Sequence, residues 1–281
     1  MDTTDDVERN KMSKRKLRVA LCQLTSTTNP SQNLSLISDW AARAAASGAR
    51  VAVFPEATMA QFGIPLESVA EPSDGWWATS VADIAERHQL LIAAGMFTPH
   101  EGRVRNTILL TGLGHHTVYH KIHLYDAFDF RESSAVSPGD QTVTVTVDGV
   151  TLGVATCYDV RFPALFQRLA ISGATAVLLP ASWGAGAGKA EQWDLLVRAR
   201  ALDSGTWIAA CDQAAPPGHH NDQNSQVPTG IGRSMIATPS GAILTQLGST
   251  PDLLVTDIDP AVAIEVRERT GSIRNRVPQL F

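Results

Sequence analysis

A thiol at Cys157, a carboxylate at Glu56 and an amine at Lys121 are the three side chains of this 281-residue sequence whose types and surroundings could do chemistry. Cys157 closes a β-branched and apolar run that begins at Thr151, and a helix pattern opens almost at once at Pro163. Between a strand's carboxyl end and a helix's amino end, a cysteine meets backbone N–H groups without partners, which favour thiolate over thiol. The plainer reading is a small core hydrophobe, the usual fate of a free cysteine. Glu56 emerges where the apolar run Val51 to Phe54 stops at Pro55. Lys121 lies in an alternating stretch that puts Tyr119, Lys121 and His123 on one strand face. Each alone reads as a solvated charge. Together they are the parts needed to attack a carbonyl carbon that bears nitrogen. The thiol is the nucleophile, the carboxylate takes and returns protons, and the cation steadies an oxyanion.

Such groups must be delivered by ordered elements. Leu17 to Leu24 reads as a buried strand. A helix follows, with Ser31 able to cap it and Gly48 ending it, and a second strand spans Val51 to Phe54. A helix over Gly75 to His88 and a strand over Leu90 to Phe97 complete a β-α-β-α-β series. The same rhythm returns with a strand into Cys157, a helix to Ser172, a strand Ala176 to Ala181, a helix Glu191 to Ser204 and a strand Trp207 to Cys211. Antiparallel candidates at Val104 to Leu110 and Thr117 to Leu124 lie between the halves, followed by a long polar and aromatic loop from Tyr125 to Asp140. The Asp148-Gly149 pair predicts a tight hairpin leading into the Cys157 strand. Further strands are predicted at Ile231 to Thr238, Ala242 to Leu247 and Leu253 to Ile258. This order predicts an α/β protein of two mixed sheets packed face to face with helices outside. Ligand is then expected beyond the carboxyl ends of strands, where Glu56 and Cys157 both fall. With no linker or shift in composition, residues 17–281 are expected to form a single domain. The charged, apolar-poor Met1 to Lys16 is expected to be a disordered tail, and the stretch from Pro216 to Val227 a surface excursion.

Three segments, in this order, resemble the signatures of the nitrilase (carbon–nitrogen hydrolase) superfamily: Phe54-Pro55-Glu56, Tyr119 to Leu124, and Cys157-Tyr158-Asp159-Val160-Arg161-Phe162-Pro163. The resemblance implies a four-layer α-β-β-α sandwich. It implies Glu56 as general base, Lys121 as the oxyanion-stabilising cation and Cys157 as the nucleophile forming a thioester, with the Tyr158 N–H assisting the oxyanion. Glu132 matches a second acid that many members use to position the substrate and the catalytic groups; otherwise it is a loop carboxylate paired with Arg131. Asp159 and Arg161 read as scaffold that holds the nucleophile's turn. Trp183 either lines the pocket or packs. Cys157 to Pro163 and the helix carrying Arg198 and Arg200 look most like the omega-amidase and deaminated-glutathione amidase branch. Ala164, where an acid is frequent, and Ser182-Trp183-Gly184 depart from it. The implied reaction is hydrolysis of a small linear carboxamide, with nitrile or N-carbamoyl substrates open to the same three residues. Members commonly pair through outer helices, so a homodimer or larger assembly is expected.

Composition narrows the partners. With 44% hydrophobic and 18% charged residues the chain is globular in type, and a net charge of -5 argues against general affinity for nucleic acid or anionic membrane. A small molecule and water are the expected partners. Three widely spaced cysteines form neither a disulfide framework nor a zinc pattern. The tail lacks the apolar core of a secretory signal, so a reducing, cytoplasmic location is expected. Gly184 to Lys189 fails the phosphate-loop pattern at Trp183 and Ala190, and is read as a flexible active-site loop. His115-His116 and His219-His220 lack metal-ligand spacing. No cofactor and no metal are expected. A cysteine peptidase lacks an evident His/Asn pairing, and a catalytically silent binding protein would leave the Glu56, Lys121 and Cys157 set without a purpose.

Overall fold

The computed structural model describes residues 16–216 and 227–277. Residues 1–15 of the expected tail, and residues 217–226 of the expected excursion with His219-His220, lie outside the described residues.

The chain runs through β1 (Leu17–Gln23), α1 (Pro30–Ala46), β2 (Val51–Val53), α2 (Trp76–His88), β3 (Leu91–His100), β4 (Arg103–Gly112) and β5 (His115–His120). A short hairpin, β6 (Asp126–Ala127) and β7 (Phe130–Arg131), precedes β8 (Thr144–Val147) and β9 (Val150–Val154). Then come α3 (Pro163–Ile171), β10 (Ala176–Ala181), α4 (Lys189–Ser204), β11 (Trp207–Asp212), β12 (Met235–Ala237), β13 (Ile243–Gln246), β14 (Asp252–Ile258) and α5 (Pro260–Thr270).

Two six-stranded sheets result, ordered β14-β1-β2-β3-β4-β5 and β13-β12-β11-β10-β9-β8. In each, three central strands are parallel and joined by helices, while the flanking strands are antiparallel. The central strands are buried on both faces, which is why they read as near-continuous apolar runs. In β1, Leu17, Val19 and Leu21 face the other sheet, where they meet Leu152, Leu178 and Ala209. Ala20 and Cys22 face outward, onto Ile37 and Trp40 of α1 and Trp77 and Val81 of α2. The second sheet repeats this, with Val177, Leu179, Ile208 and Ala210 turned toward Leu169 of α3 and Trp193 and Val197 of α4. The order of layers is therefore helix, sheet, sheet, helix, as the sequence predicts.

Several boundaries move for local reasons. Asn29 rather than Ser31 caps α1: its side chain accepts from the N–H of Ser31 at 2.9 Å and of Gln32 at 3.3 Å, because Pro30 takes the first helical position. Helix α4 starts at Lys189, two residues earlier than the sequence indicates. Strand β5 stops at His120, so Lys121 stands just past a strand end. Helix α5 lies beyond the predicted elements, although its signals are present: an Asp259 cap, Pro260 in the first turn and Gly271 at φ 65° after the end.

Candidate active site

Glu56 follows β2, Lys121 follows β5 and Cys157 follows β9, so three strand ends from two sheets converge on one point. Fold geometry places a ligand beyond such ends. Glu56 is fully buried. Its Oε1 accepts from Lys121 Nζ at 2.8 Å and Asn106 Nδ2 at 2.7 Å, and its Oε2 accepts from the Ser182 N–H at 2.8 Å. Lys121 Nζ also lies 2.9 Å from Glu132 Oε2. Glu132 accepts from Asn106 Nδ2 at 2.9 Å and from the Tyr125 N–H at 2.7 Å. Its partners are therefore the other site residues and not Arg131.

The lysine, read from alternation alone as a solvated charge, is buried between the two acids. The amine is held protonated, well above the usual lysine range. Burial opposes that charge, and Glu132, Glu56 and Cys157 together outweigh it.

Cys157 begins a 3₁₀ turn over Cys157–Arg161 and sits at φ 46°, a left-handed conformation that costs a non-glycine residue strain. Asp159 holds that turn. Its Oδ2 accepts from the Thr156 N–H at 2.9 Å and the Tyr119 hydroxyl at 2.6 Å, while its Oδ1 accepts from the His123 N–H at 2.9 Å. Arg200 on α4 adds a bond to the Val160 carbonyl at 2.9 Å. The thiol itself donates to the Ser182 carbonyl at 3.7 Å. Ser182, just past β10, thus fixes Glu56 through its N–H and Cys157 through its C=O.

The sequence predicts a thiol eased toward thiolate, and the structure reverses this. Burial pushes the Cys157 thiol well above its ordinary range, the Glu56 charge pushes the same way, and Lys121 only partly offsets them. Such a thiol must lose its proton as it attacks, and Glu56 is the carboxylate whose charge it feels. The arrangement can therefore perform concerted proton transfer and nucleophilic addition, with a permanent cation beside the reacting atoms. Tyr158 N–H belongs to the first turn of the 3₁₀ segment, where backbone donors lack a partner within the segment.

A cleft beside Cys157 is lined by Tyr125, Tyr158, Arg161, Trp183 and Lys189, with about 230 Å³ of space not filled by atoms. Trp183 both lines and packs: it is buried, its indole N–H donates to the Lys189 carbonyl at 2.9 Å, and its ring lies 5.2 Å from that of Trp193. Arg161, read as scaffold beside Asp159, instead bonds Gln192 Oε1 at 2.7 Å and lines the cleft. Among the described residues no group of three His, Cys, Asp or Glu side chains could hold a metal ion.

Asn106, which bridges both acids, escaped the sequence reading. The available signal was a buried Asn inside an apolar strand, where Asn is disfavoured. Asp212 was missed as well. Fully buried at the end of β11, it accepts from the N–H of Trp183 at 2.7 Å and of Ile231 at 2.9 Å, so it clamps the loop that carries Ser182. Burial pushes its carboxyl well up, opposed by those backbone donors.

Gly95 in β3 is needed for close approach rather than for a turn. A Cβ there would meet the backbone N of Ala57 and lie 2.8 Å from Glu56 Cα. Gly95→Ala is expected to cost about 1–3 kcal/mol by overpacking and, by displacing Glu56, up to about 100-fold in turnover. Thermal unfolding and initial rates on one preparation check both; wild-type values for each would contradict the close approach.

Comparison with known proteins converges on the same reading. The chain is 48% identical over 267 residues to a hydrolase of Mycobacterium tuberculosis, covering 92% of this chain and 95% of that one. It is 29% identical over 273 residues to the omega-amidase of Mus musculus, covering 94% and 96%. Among solved structures, the NitN amidase of Nesterenkonia sp. AN1 superposes with a TM-score of 0.79 at 26% identity, covering 94% of this chain and 98% of that one. A variant of that amidase carries acrylamide added at its active-site cysteine. The carbon-nitrogen hydrolase family pattern matches residues 18–268. With its two-sheet sandwich and its buried acid, amine and thiol at three strand ends, the chain belongs to the carbon-nitrogen hydrolase family, enzymes that hydrolyse C–N bonds.

Proposed function

We propose that the protein is a thiol amidase, cleaving the C–N bond of a small linear carboxamide, the omega-amide of a keto or carboxylic acid, and releasing ammonia. The observation that carries this reading is a buried Glu56 and Lys121 pair, 2.8 Å apart, set against a protonated thiol at Cys157. Glu56 takes the Sγ proton as sulfur adds to the amide carbon. Lys121 Nζ and the Tyr158 N–H steady the oxyanion. Collapse of the tetrahedral intermediate breaks the C–N bond, and Glu56 passes its proton to the departing ammonia, leaving an acyl thioester. Glu56 then takes a proton from water, whose oxygen adds to the thioester. The acid leaves and the thiol regains its proton. Glu132 orients Lys121 and, through the Tyr125 N–H, the hairpin beside the cleft. Trp183 shapes the substrate wall. No cofactor enters this scheme.

An assembly of two or more copies belongs to the same proposal, supported by the exposed apolar Ile171 on α3 and Leu195 and Leu202 on α4. No described helix is long and apolar enough to cross a membrane.

The test is ammonia release from short omega-amides, the matching nitriles and N-carbamoyl acids. Fastest turnover of the amides is expected; a nitrile or carbamoyl acid turned over faster would replace the amide assignment.

A further inference from the structure

Away from the active-site cleft, a second cavity gathers charged and unpaired groups. It encloses about 540 Å³ between one side of α3 and the stretch before β8, within the roughly 300–1,000 Å³ of sites that hold small molecules. His123, Arg168 of α3 and Arg276 line it, and Ile122 and Leu165 add apolar surface. Neither guanidinium has a carboxylate partner among the described residues. Asp140 is the single carboxylate on the wall, and it stands exposed.

Two buried atoms of these lining residues lack any hydrogen-bond partner, Arg276 Nε and Gln167 Oε1. One is a donor and the other an acceptor, yet they do not pair with each other. Buried polar atoms are rarely left so, and this combination fits a ligand that accepts at one point and donates at another. A phosphate ester offers three acceptor oxygens, one for each guanidinium and one for the imidazole, where a carboxylate offers two. A hydroxyl on the same molecule supplies the donor for Gln167.

His123 joins this cavity to the nucleophile. Its ring stacks on Phe162 at 3.7 Å, and its Nδ1 lies 2.7 Å from Asp159 Oδ1. The same carboxylate accepts from the Thr156 N–H and so holds the turn that Cys157 begins. An anion beside the ring favours imidazolium, and an imidazolium grips Asp159 more firmly than the neutral ring does.

We propose that this cavity is a second binding site, for a small phosphate ester that also bears a hydroxyl, with His123 as the positioning residue that relays its charge through Asp159 to the Cys157 turn. The site goes beyond the amidase reading and does not depend on it, since occupancy is read by binding alone.

The probes are glycerol 3-phosphate, inorganic phosphate and glycerol, titrated calorimetrically into the full chain. One glycerol 3-phosphate per chain is expected to bind at least about tenfold more tightly than inorganic phosphate, with no binding of glycerol. Arg168→Met and Arg276→Met are each expected to weaken both phosphates about tenfold or more, while Gln167→Leu weakens the ester alone. No binding to the wild type, or binding that neither arginine variant alters, overturns the site. Sedimentation covers the other occupant: an assembly lost in both arginine variants, with no phosphate bound by the wild type, makes the cavity an interface between copies. The relay has its own readout. Saturating glycerol 3-phosphate is expected to raise wild-type kcat about fivefold with KM unchanged, and His123→Asn to keep most of the binding and lose that response. A competitive pattern against substrate puts the ester in the catalytic cleft and overturns the proposal, and binding without a change in kcat removes the relay. An enzyme that binds the ester but hydrolyses no amide keeps the site and loses the amidase reading.

Discussion

Cys157→Ala is expected to remove turnover on every substrate, by at least about 10⁴-fold, while the protein stays folded. Loss of the sulfur removes the nucleophile that the proposed acyl thioester requires. Structurally it removes little: one weak bond to the Ser182 carbonyl and a small volume. Alanine also relieves nothing in the backbone, because the left-handed φ of 46° at this position is unfavourable for both residues. The stability change is expected to stay near 1 kcal/mol, or about 2–4 °C in Tm. Full activity in this variant would remove the thiol from the mechanism. Cys22 and Cys211 offer no substitute, since both are fully buried in the core and burial pushes both thiols well up.

Glu56→Gln carries the second large effect, and here activity and stability fall together. Three donors converge on the carboxylate, from Lys121, Asn106 and Ser182. An amide of the same shape turns an NH₂ group toward one of them and withdraws one of the two charges that balance Lys121. A cost of about 2–4 kcal/mol follows from a buried pair half broken, softened because Glu132 keeps the lysine paired. Turnover is expected to fall about 10³- to 10⁴-fold, because a thiol held protonated has lost the group that takes its proton. Both half-reactions should slow, so a pre-formed acyl-enzyme would persist. Thermal unfolding and single-turnover kinetics separate the two losses. A variant as active as wild type would move the proton acceptor elsewhere, and Glu132 is the next carboxylate in the cluster.

The sequence and the structure agree most closely where local chemistry decides the matter. The Asp148-Gly149 turn forms the expected hairpin, with φ of 50° and 83° at those residues. Strand β10 has the predicted bounds, because a fully apolar run admits one reading. Glu56 and Cys157, at strand ends in sequence, meet in space with Lys121, which the sequence places within a strand. What stayed hidden depends on which surfaces become covered. Alternation separates Tyr119 and Lys121 from their neighbours but does not say that a second sheet closes over them. Asn106 reaches two acids only through the pairing of β4 with β5, which no local pattern specifies. The protonation of Cys157 follows from burial against Glu56, where strand and helix positions alone point the other way. Arg161 follows Asp159 by two residues, yet the tight turn sends one into the core and the other into the cleft.

Intact-protein mass measurement after mixing with glutaramate, followed by peptide mapping, reaches the central claim most directly. Wild type quenched in acid during turnover is measured beside Glu56→Gln, since loss of the base slows acylation as well as hydrolysis. A single acyl group gained on the peptide that contains Cys157, with one equivalent of ammonia released, is the predicted result. Ammonia release by the wild type, with no acyl group found on that cysteine in either form, would contradict the thioester route.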